Sequence, residues 1–284
     1  MHIFVACCGF SRCPWTKAAA IADHCAMKLR TVSATRYVTP LREGGSLPAI
    51  VEGDDEGLYV LKFRGAGQGP RALIAELVAG EIARAAGLAV PEIVFVELDP
   101  ELARTEPDAE IQHLIRASAG LNLALDYLPG SVTFDPLVER PDADLASRIV
   151  WFDAYVSNVD RTARNANMLV WHRKLRLIDH GAALYFHHDW SDWQARSVLP
   201  FAQIKNHVLL PFASRIAEVD ESMQAAITPQ AIAAIVAQIP DAWLDDGAPF
   251  AAADAHRAAY VEYLTRRREA PRAFVAEAIR VHAG

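Results

Sequence analysis

Cysteine is nearly absent from this chain, and its few copies are confined to one end. All four lie within the first 25 of 284 residues: Cys7, Cys8, Cys13 and Cys25. A core without disulfide partners is typical of a reducing compartment, so we predict a cytoplasmic protein. The same stretch lacks the basic region that opens a secretory signal. We therefore interpret residues 1–28 as a disordered leader or as a mis-assigned start, with Met27 as the true initiator.

Long apolar runs and excess positive charge are also missing. No apolar stretch approaches the roughly 20 residues that a membrane-spanning helix needs, so no membrane segment is expected. The formal net charge of −7 at pH 7 argues against a nucleic-acid-binding surface. The basic cluster Arg266-Arg267-Arg268 is predicted to be a solvated helix end. With 52% hydrophobic residues the chain can still bury a large core.

Two common nucleotide-binding fingerprints are absent as well. The sequence contains no Gly-Lys-Ser or Gly-Lys-Thr, which excludes a P-loop. The segment 65–70 begins like a dinucleotide-binding turn, but its third glycine falls one place early and Pro70 stands in the expected slot. We interpret this segment as a connection from a strand into a helix, with amides close to phosphates as the less favoured alternative.

What the sequence does contain is a spaced set of oxygen ligands around a short hairpin. Asp160 is followed five residues later by Asn165, and Asp179 follows two short strands predicted within residues 168–178. The apolar repeat over 145–157 predicts a helix that leads into this loop. In phosphoryl transfer a carboxylate accepts the proton of the attacking hydroxyl, and Mg²⁺ takes hard oxygen ligands. We therefore expect Asp160 to be the base and Asn165 and Asp179 to hold Mg²⁺.

A lysine upstream complements this set. Lys62 lies near the end of a strand predicted over 58–63, and a helix predicted over 71–86 follows it. Glu76 lies on the inward face of that helix. It is expected to pair with Lys62 and to hold the ammonium toward the α- and β-phosphates of ATP. Glu81 is the competing partner.

A glycine-rich turn precedes the strand that pairs with the lysine strand. Residues 47–52 are predicted to be the hairpin partner of 58–63, and Gly44, Gly45 and Ser46 come just before them. Backbone amides in such a turn can close over phosphates. We expect these three residues to contact the nucleotide.

Taken together, these pieces resemble the HipA-like kinases, bacterial relatives of the serine/threonine and phosphatidylinositol kinases. The resemblance spans roughly residues 31 to 210. It rests on four pieces: Tyr59–Phe63, Ala75-Glu76 with Gly87–Pro91 eleven residues later, Asp160 to Asn165, and Leu177–Gly181. It implies the nucleotide, base and metal roles given above, and it implies further that Arg164 touches the γ-phosphate.

The resemblance also implies a fold. We expect an α+β, two-lobed protein-kinase-like structure, with a β-rich N-lobe over 29–126 and a mainly helical C-lobe over 127–284. The boundary falls where a predicted strand emerges into a turn, and the backbone of Asp126, Tyr127 and Leu128 is expected to bind adenine there. Three late helices are predicted to serve packing: 228–238, 254–268 and 271–282. The run from His187 to Trp193 is assigned to the segment that meets the acceptor.

The chain departs from the family pattern in places. Thr162 stands where the family usually has histidine, two residues after the base, and His180 occupies the middle of the metal-binding tripeptide. Neither change removes a metal ligand. The extra amino-terminal subdomain of the longer HipA toxins is not recognised, so a toxin–antitoxin role is not predicted.

The resulting hypothesis is a kinase that uses ATP and Mg²⁺. A protein serine or threonine is the preferred acceptor. The alternatives are a small-molecule kinase, an enzyme that transfers AMP, and a nucleotide-binding pseudokinase that regulates a partner without chemistry.

Overall fold

The computed structural model of the chain describes residues 28–41, 47–245, 247–269 and 271–284. The predictions for the leader, up to Met27, and for Gly44, Gly45 and Ser46 lie outside the described residues. Within the part that is described, a strand-rich half is followed by a mainly helical half, as the two-lobed α+β prediction requires.

The first half is built on a closed five-stranded barrel. Its strands are β1 (Thr31–Pro40), β2 (Ala49–Gly53), β3 (Leu58–Lys62), β4 (Ile93–Leu98) and β5 (Gly120–Asp126). They follow one another around the barrel in the order β1-β2-β3-β5-β4, and the parallel pair β1–β4 closes it. Tyr59 and Leu61 of β3 belong to the barrel core. Because side chains alternate along a strand, Val60 and Lys62 face the other way, out of the barrel.

Helix α1 (Pro70–Ala85) is a central helix rather than a surface one. It begins at Pro70. Proline lacks an N–H, but this is no disadvantage in the first turn, where backbone N–H groups have no partner within the helix. Every residue from 73 to 80 is buried, so apolar contacts surround its middle turns. It stops before Gly87, whose φ of 76° allows the N–H of Leu88 to donate to the carbonyl of Ala83.

Residues 99–117, to which the sequence analysis assigned no element, form a 3₁₀ turn (Pro100–Thr105) and helix α2 (Ala109–Ala117). Asp99 and Asp108 cap them by accepting hydrogen bonds from the backbone N–H groups two residues on. The apolar face of α2 closes the barrel core.

The second half carries a small sheet and most of the helices. An antiparallel sheet is formed by β6 (Val132–Thr133), β7 (Met168–Trp171) and β8 (Lys174–Leu177). The helices are α3 (Ala143–Tyr155), α4 (Trp193–Arg196), α5 (Ile216–Ala226), α6 (Pro229–Val236), α7 (Ala253–Arg268) and α8 (Ala273–Ala283). Helix α3 is central and packs against α5 and α8. Among the described residues, no helix has the length and apolar character needed to cross a membrane.

The two halves share one apolar core, while the barrel interior forms a second. Helix α1 contributes to the shared core and contacts α6. Close to it, the ring of Trp243 packs edge to face on Phe95 of β4, with centroids 5.7 Å apart, and its Nε1–H donates to the carbonyl of Leu121. The inward face of α1 is therefore held between the barrel and the late helices.

The prediction of a solvated helix end at residues 266–268 is wrong for its central arginine. Arg267 is buried near the end of α7, and burial lowers the pKa of its guanidinium. It donates to four backbone carbonyls, those of Ala154, Tyr155, Ser197 and Leu199. Since the negative end of the helix dipole lies at the last turn of α3, the cation is stabilised there, and among the described residues it has no carboxylate partner.

Candidate functional site

The loop that follows α3 carries the predicted base. Asp160 Oδ2 accepts hydrogen bonds from the side-chain amides of Asn165 at 2.7 Å and Asn167 at 3.2 Å. The backbone N–H of Asp160 donates to Asn158 Oδ1 at 3.1 Å. Because a carboxylate accepts only, both amide nitrogens face Asp160, and the Oδ1 atom of Asn165 is left for another partner. Asn167 was missed by the sequence analysis, although it stands in the same polar loop.

The β7–β8 hairpin brings Asp179 back to this loop. Its two-residue turn at 172–173 has φ angles of 48° and 62°, the left-handed values that suit tight hairpins. Beyond the paired strands, the N–H of Ile178 donates to the carbonyl of Asn167 at 3.0 Å. Asp179 directly follows Ile178, which is bonded to Asn167, and Asn167 contacts Asp160. The hydrogen bond therefore brings Asp179 close to the loop of the predicted base. The φ of Asp179, 54°, lies in the left-handed region, which few residues other than glycine adopt and where aspartate is among the better tolerated.

Lys62 joins the two halves of the site. Its Nζ lies 2.6 Å from Asp179 Oδ1 and 3.3 Å from Glu76 Oε2. Glu81, the competing partner considered for Lys62, instead forms an ion pair with Arg84 at 3.1 Å. Three residues far apart in the chain thus converge on the face of β3 that points out of the barrel.

The charges in this cluster stabilise one another. Burial by itself lowers the pKa of Lys62, but Glu76 and Asp179 raise it above its ordinary value. Burial likewise raises the pKa of Glu76, whereas Lys62, followed by the imidazole and the backbone N–H of His180, lowers it to about 2. Lysine and glutamate are therefore both charged at neutral pH.

A buried hydrogen-bond network centred on Asp153 supports the loop that carries Asp160. Asp153 of α3 accepts from Arg161 Nε at 2.6 Å and pairs with His207 Nε2 at 2.9 Å through Oδ2, and its Oδ1 accepts from Asn158 at 2.9 Å. Burial raises the pKa of Asp153, but Arg161 and His207 more than offset this and hold it well below the usual range. The sequence analysis missed this network; a lone aspartate in an apolar helix seven residues before Asp160 was the available signal.

Arg161 connects the strands of the site to that network. Its guanidinium donates to the backbone carbonyl of Asn167 and, at 3.4 Å, to that of Ile178. Its own carbonyl accepts from the N–H of Val208 at 3.1 Å. One buried side chain thus links the loop that carries Asp160 with the strand end before Asp179.

Of the three residues predicted to bind adenine through the backbone, two have N–H groups that are already hydrogen-bonded. The N–H of Asp126 donates to the carbonyl of Glu92 at 2.8 Å, and the N–H of Tyr127 donates to that of Leu58 at 2.9 Å. Within the described ranges, the N–H of Leu128 has no acceptor. Asp126 pairs across the sheet with Tyr59, whose side chain faces into the barrel. Because directly opposite residues share a face, the side chain of Asp126 lies on the inner face of the sheet and that of Lys62 on the outer face.

Two remaining predictions concern Arg164 and the run from His187 to Trp193. Arg164 is exposed on the loop between Asp160 and Asn165 and forms no ion pair with any described residue. In the run from His187 to Trp193, His187 is buried, and its Nδ1 lies 3.0 Å from the hydroxyl of Tyr260. Burial lowers the pKa of His187 well below its ordinary value. The start of this run therefore belongs to the core, and exposed residues such as Asp189 are the ones able to meet an acceptor.

The donor set fits a nucleotide with a divalent cation. The carboxylate of Asp179, whose side chain is 45% exposed, offers hard oxygen ligands 2.6 Å from the ammonium of Lys62. The Oδ1 atom of Asn165 offers another, because its amide nitrogen is the atom that donates to Asp160. Across the described ranges, no group of three or more His, Cys, Asp or Glu residues is placed to hold a metal by itself. Few protein ligands are typical of Mg²⁺ sites in which phosphates and water complete the octahedron.

Comparison with known proteins identifies a family and a fold. The protein-family model described as HipA-like kinase matches residues 35–272. Among solved structures, the Helicobacter pylori proinflammatory kinase CtkA is similar at 13% identity and a TM-score of 0.52, over 89% of this chain and 98% of that one. A Golgi casein kinase with Mn and ADP bound aligns at 10% identity and a TM-score of 0.45, over 94% and 77%. No curated protein sequence matches the chain. The structural likeness shows a kinase fold.

Proposed function

The chain belongs to the HipA-like kinase family, and we propose that it transfers the γ-phosphoryl group of ATP, with Mg²⁺, to a serine or threonine hydroxyl of a protein. Family membership makes it a phosphotransferase that uses ATP and a divalent metal. The choice of Mg²⁺ and of a protein acceptor is the proposal. The absence of cysteine after residue 25 supports a cytoplasmic location.

One observation carries the assignment of the site. Lys62 Nζ lies between Glu76 and Asp179, at 3.3 Å and 2.6 Å. A buried lysine and glutamate side by side with a half-exposed aspartate would be a costly arrangement in a purely structural role, because the two buried charges must be desolvated. The same arrangement suits a site where phosphates draw the ammonium toward them and the aspartate turns to a metal.

The chemistry follows from the loop. Asp160 Oδ2 is held by two amides, whereas Oδ1 accepts no hydrogen bond from a described residue. Oδ1 is thus the atom available to take the proton of the acceptor hydroxyl. The hydroxyl oxygen then bonds to the γ-phosphorus, and the bond between the γ-phosphorus and ADP breaks. Asn165 Oδ1 and Asp179 would hold Mg²⁺, which when bound neutralises charge on the phosphate oxygens. Lys62 would orient the α- and β-phosphates, with Glu76 as its anchor.

The adenine end is proposed on the same basis. The N–H of Leu128, which has no acceptor among the described residues, would donate to the base, and Val60, which shares the outer face of β3 with Lys62, would supply apolar cover. A contact between Arg164 and the γ-phosphate remains a prediction. A role for the amides of residues 44–46 also remains a prediction.

The decisive experiment uses Asp160→Asn. The amide keeps the shape but cannot accept the proton, so transfer from γ-labelled ATP should fall by about 10²- to 10⁴-fold while ATP affinity changes little. Asp135→Asn is the matched control, since Asp135 is exposed and, among the described residues, its side chain accepts a hydrogen bond from the N–H of Leu137 alone; it should retain full activity.

Parallel reactions with α-labelled ATP and cell lysate separate the alternatives. Label transferred from the γ position to protein supports the proposal, and label transferred to small molecules supports a small-molecule kinase. Transfer from the α position indicates AMP transfer, and no transfer despite ATP binding indicates a pseudokinase. Full activity of the Asp160→Asn protein would remove Asp160 from the mechanism.

A further inference from the structure

His180, the residue directly after Asp179, contacts the glutamate that anchors Lys62. Its imidazole is fully buried, and Nδ1 lies 3.2 Å from Glu76 Oε1. Because a carboxylate has no hydrogen to give, Nδ1–H is the donor. The contact with Lys62 uses the other oxygen, Oε2, at 3.3 Å, where Glu76 has an ion pair but no aligned hydrogen bond. The imidazole, together with the backbone N–H of His180, therefore sets the orientation of the carboxylate, and the imidazole is the part of this contact that a substitution removes.

The surroundings of His180 are costly for a residue with only a packing role. Its Nε2 is buried and, within the described part of the chain, has no hydrogen-bond partner. Such an atom carries a desolvation penalty that an apolar side chain would avoid. The unpartnered nitrogen is explained if the Nδ1 bond to Glu76 is what the site requires.

We propose that His180 is a positioning residue for nucleotide binding: it fixes Glu76 in the orientation that directs Lys62, and so couples helix α1 to the strand end that carries Asp179. The contacts form a closed circuit. Lys62 contacts both Asp179 and Glu76. Glu76 in turn contacts His180, which directly follows Asp179 in the chain. When phosphates draw Lys62 away from Asp179, the His180–Glu76 bond keeps the remaining anchor in place.

This inference rests on the proposed function, because it assumes that Lys62 receives the phosphates. Its test compares three variants. His180→Phe removes the donor and keeps a ring that can still pack against Phe152, whose ring centroid is 5.9 Å away. His180→Asn places an amide nitrogen close to the position of Nδ1 and keeps the donor. Glu76→Met removes the acceptor.

His187→Phe is the matched control. His187 is equally buried, its Nδ1 has one partner at 3.0 Å, and its Nε2 has none among the described residues. It does not contact Glu76. The control therefore measures what the same substitution costs when the imidazole has no link to the lysine anchor.

The measurements are ATP dissociation constants by calorimetry, with and without Mg²⁺, together with KM for ATP and kcat. We expect His180→Phe to weaken ATP binding roughly tenfold, His180→Asn to restore it within about threefold, and His187→Phe to leave it unchanged. Combined with Glu76→Met, His180→Phe should add less than about twofold, because both act through one contact. KM should rise more than kcat falls. His180→Met replaces the phenylalanine variant if that protein does not fold.

Full additivity of His180→Phe and Glu76→Met, or an equal loss of affinity in His187→Phe, would overturn the proposal. A wild-type protein that binds no ATP would instead refute the proposed function. In that case urea unfolding of the same variants still decides the contact: non-additive stability changes support the His180–Glu76 link, and additive ones refute it.

Discussion

Replacing Arg267 with methionine should destabilise the protein strongly, although the residue lies in a run of three arginines near a helix end. Methionine keeps most of the length and apolar contact of the arginine stem but none of its donors. The four carbonyls that Arg267 serves, at 2.7–3.1 Å, would lose their partner, three of them in the interior. Two of them belong to the last turn of α3, just before the loop that carries Asp160.

The magnitude follows from these bonds. A buried carbonyl that loses its partner costs about 1–1.5 kcal/mol at the low end of measured values, so the three buried ones cost about 3–4.5 kcal/mol, while the carbonyl of the exposed Leu199 can turn to water. Removing a buried cation returns part of its desolvation cost, which brings the net loss to about 2–4 kcal/mol. The stacking of the guanidinium over Phe274, 4.9 Å from the ring centroid, contributes in the same direction.

The assay is urea unfolding of Arg267→Met beside Arg266→Met. Arg266 is 44% exposed, and its ion pair with Glu262 is long, at 3.7 Å. The neighbouring substitution should therefore cost less than about 1 kcal/mol. Equal and small shifts of the two midpoints, with unchanged slopes, would refute the reasoning from burial.

Three further outcomes are expected. ATP with Mg²⁺ should raise the melting temperature, and Asp179→Ala should abolish the Mg²⁺-dependent part; an unchanged shift would exclude Asp179 as a ligand. The pKa of Asp153 is depressed in the folded protein, so its contribution to stability is present above the unfolded pKa near 4 and is lost as pH falls through the folded value. Urea titrations should therefore show a shallower loss of stability below about pH 4 in Asp153→Asn, and parallel curves would contradict this. Lys62→Met should weaken ATP binding, whereas Thr162→His should leave turnover within about tenfold; kinetics that rank them the other way would show that Thr162 has a role missed here.

Local sequence patterns were sufficient for most of the elements that carry the site. The strand that ends at Lys62, the helix before Asp160 and the short hairpin before Asp179 all lie within one or two residues of their predicted bounds. Their signals are periodicity and turn chemistry, which act over a few residues and are visible in a single sequence. The kinase assignment followed because the order and spacing of these pieces are specific even when each piece is common.

The choice between equivalent side chains required the tertiary structure. The apolar face of the helix favoured Glu76 over Glu81 as partner of Lys62, but only the tertiary contact decides between them. Nothing local distinguishes Arg267 from its two neighbours, because the carbonyls that it contacts come from residues far along the chain. The same holds for His207, whose carboxylate partner Asp153 lies 54 positions earlier. Sequence by itself determined which elements form and which chemistry they bring. Only the packing of the barrel, α1 and the late helices decided which charges are buried together, since burial and ion pairing depend on distances in space that a linear pattern does not contain.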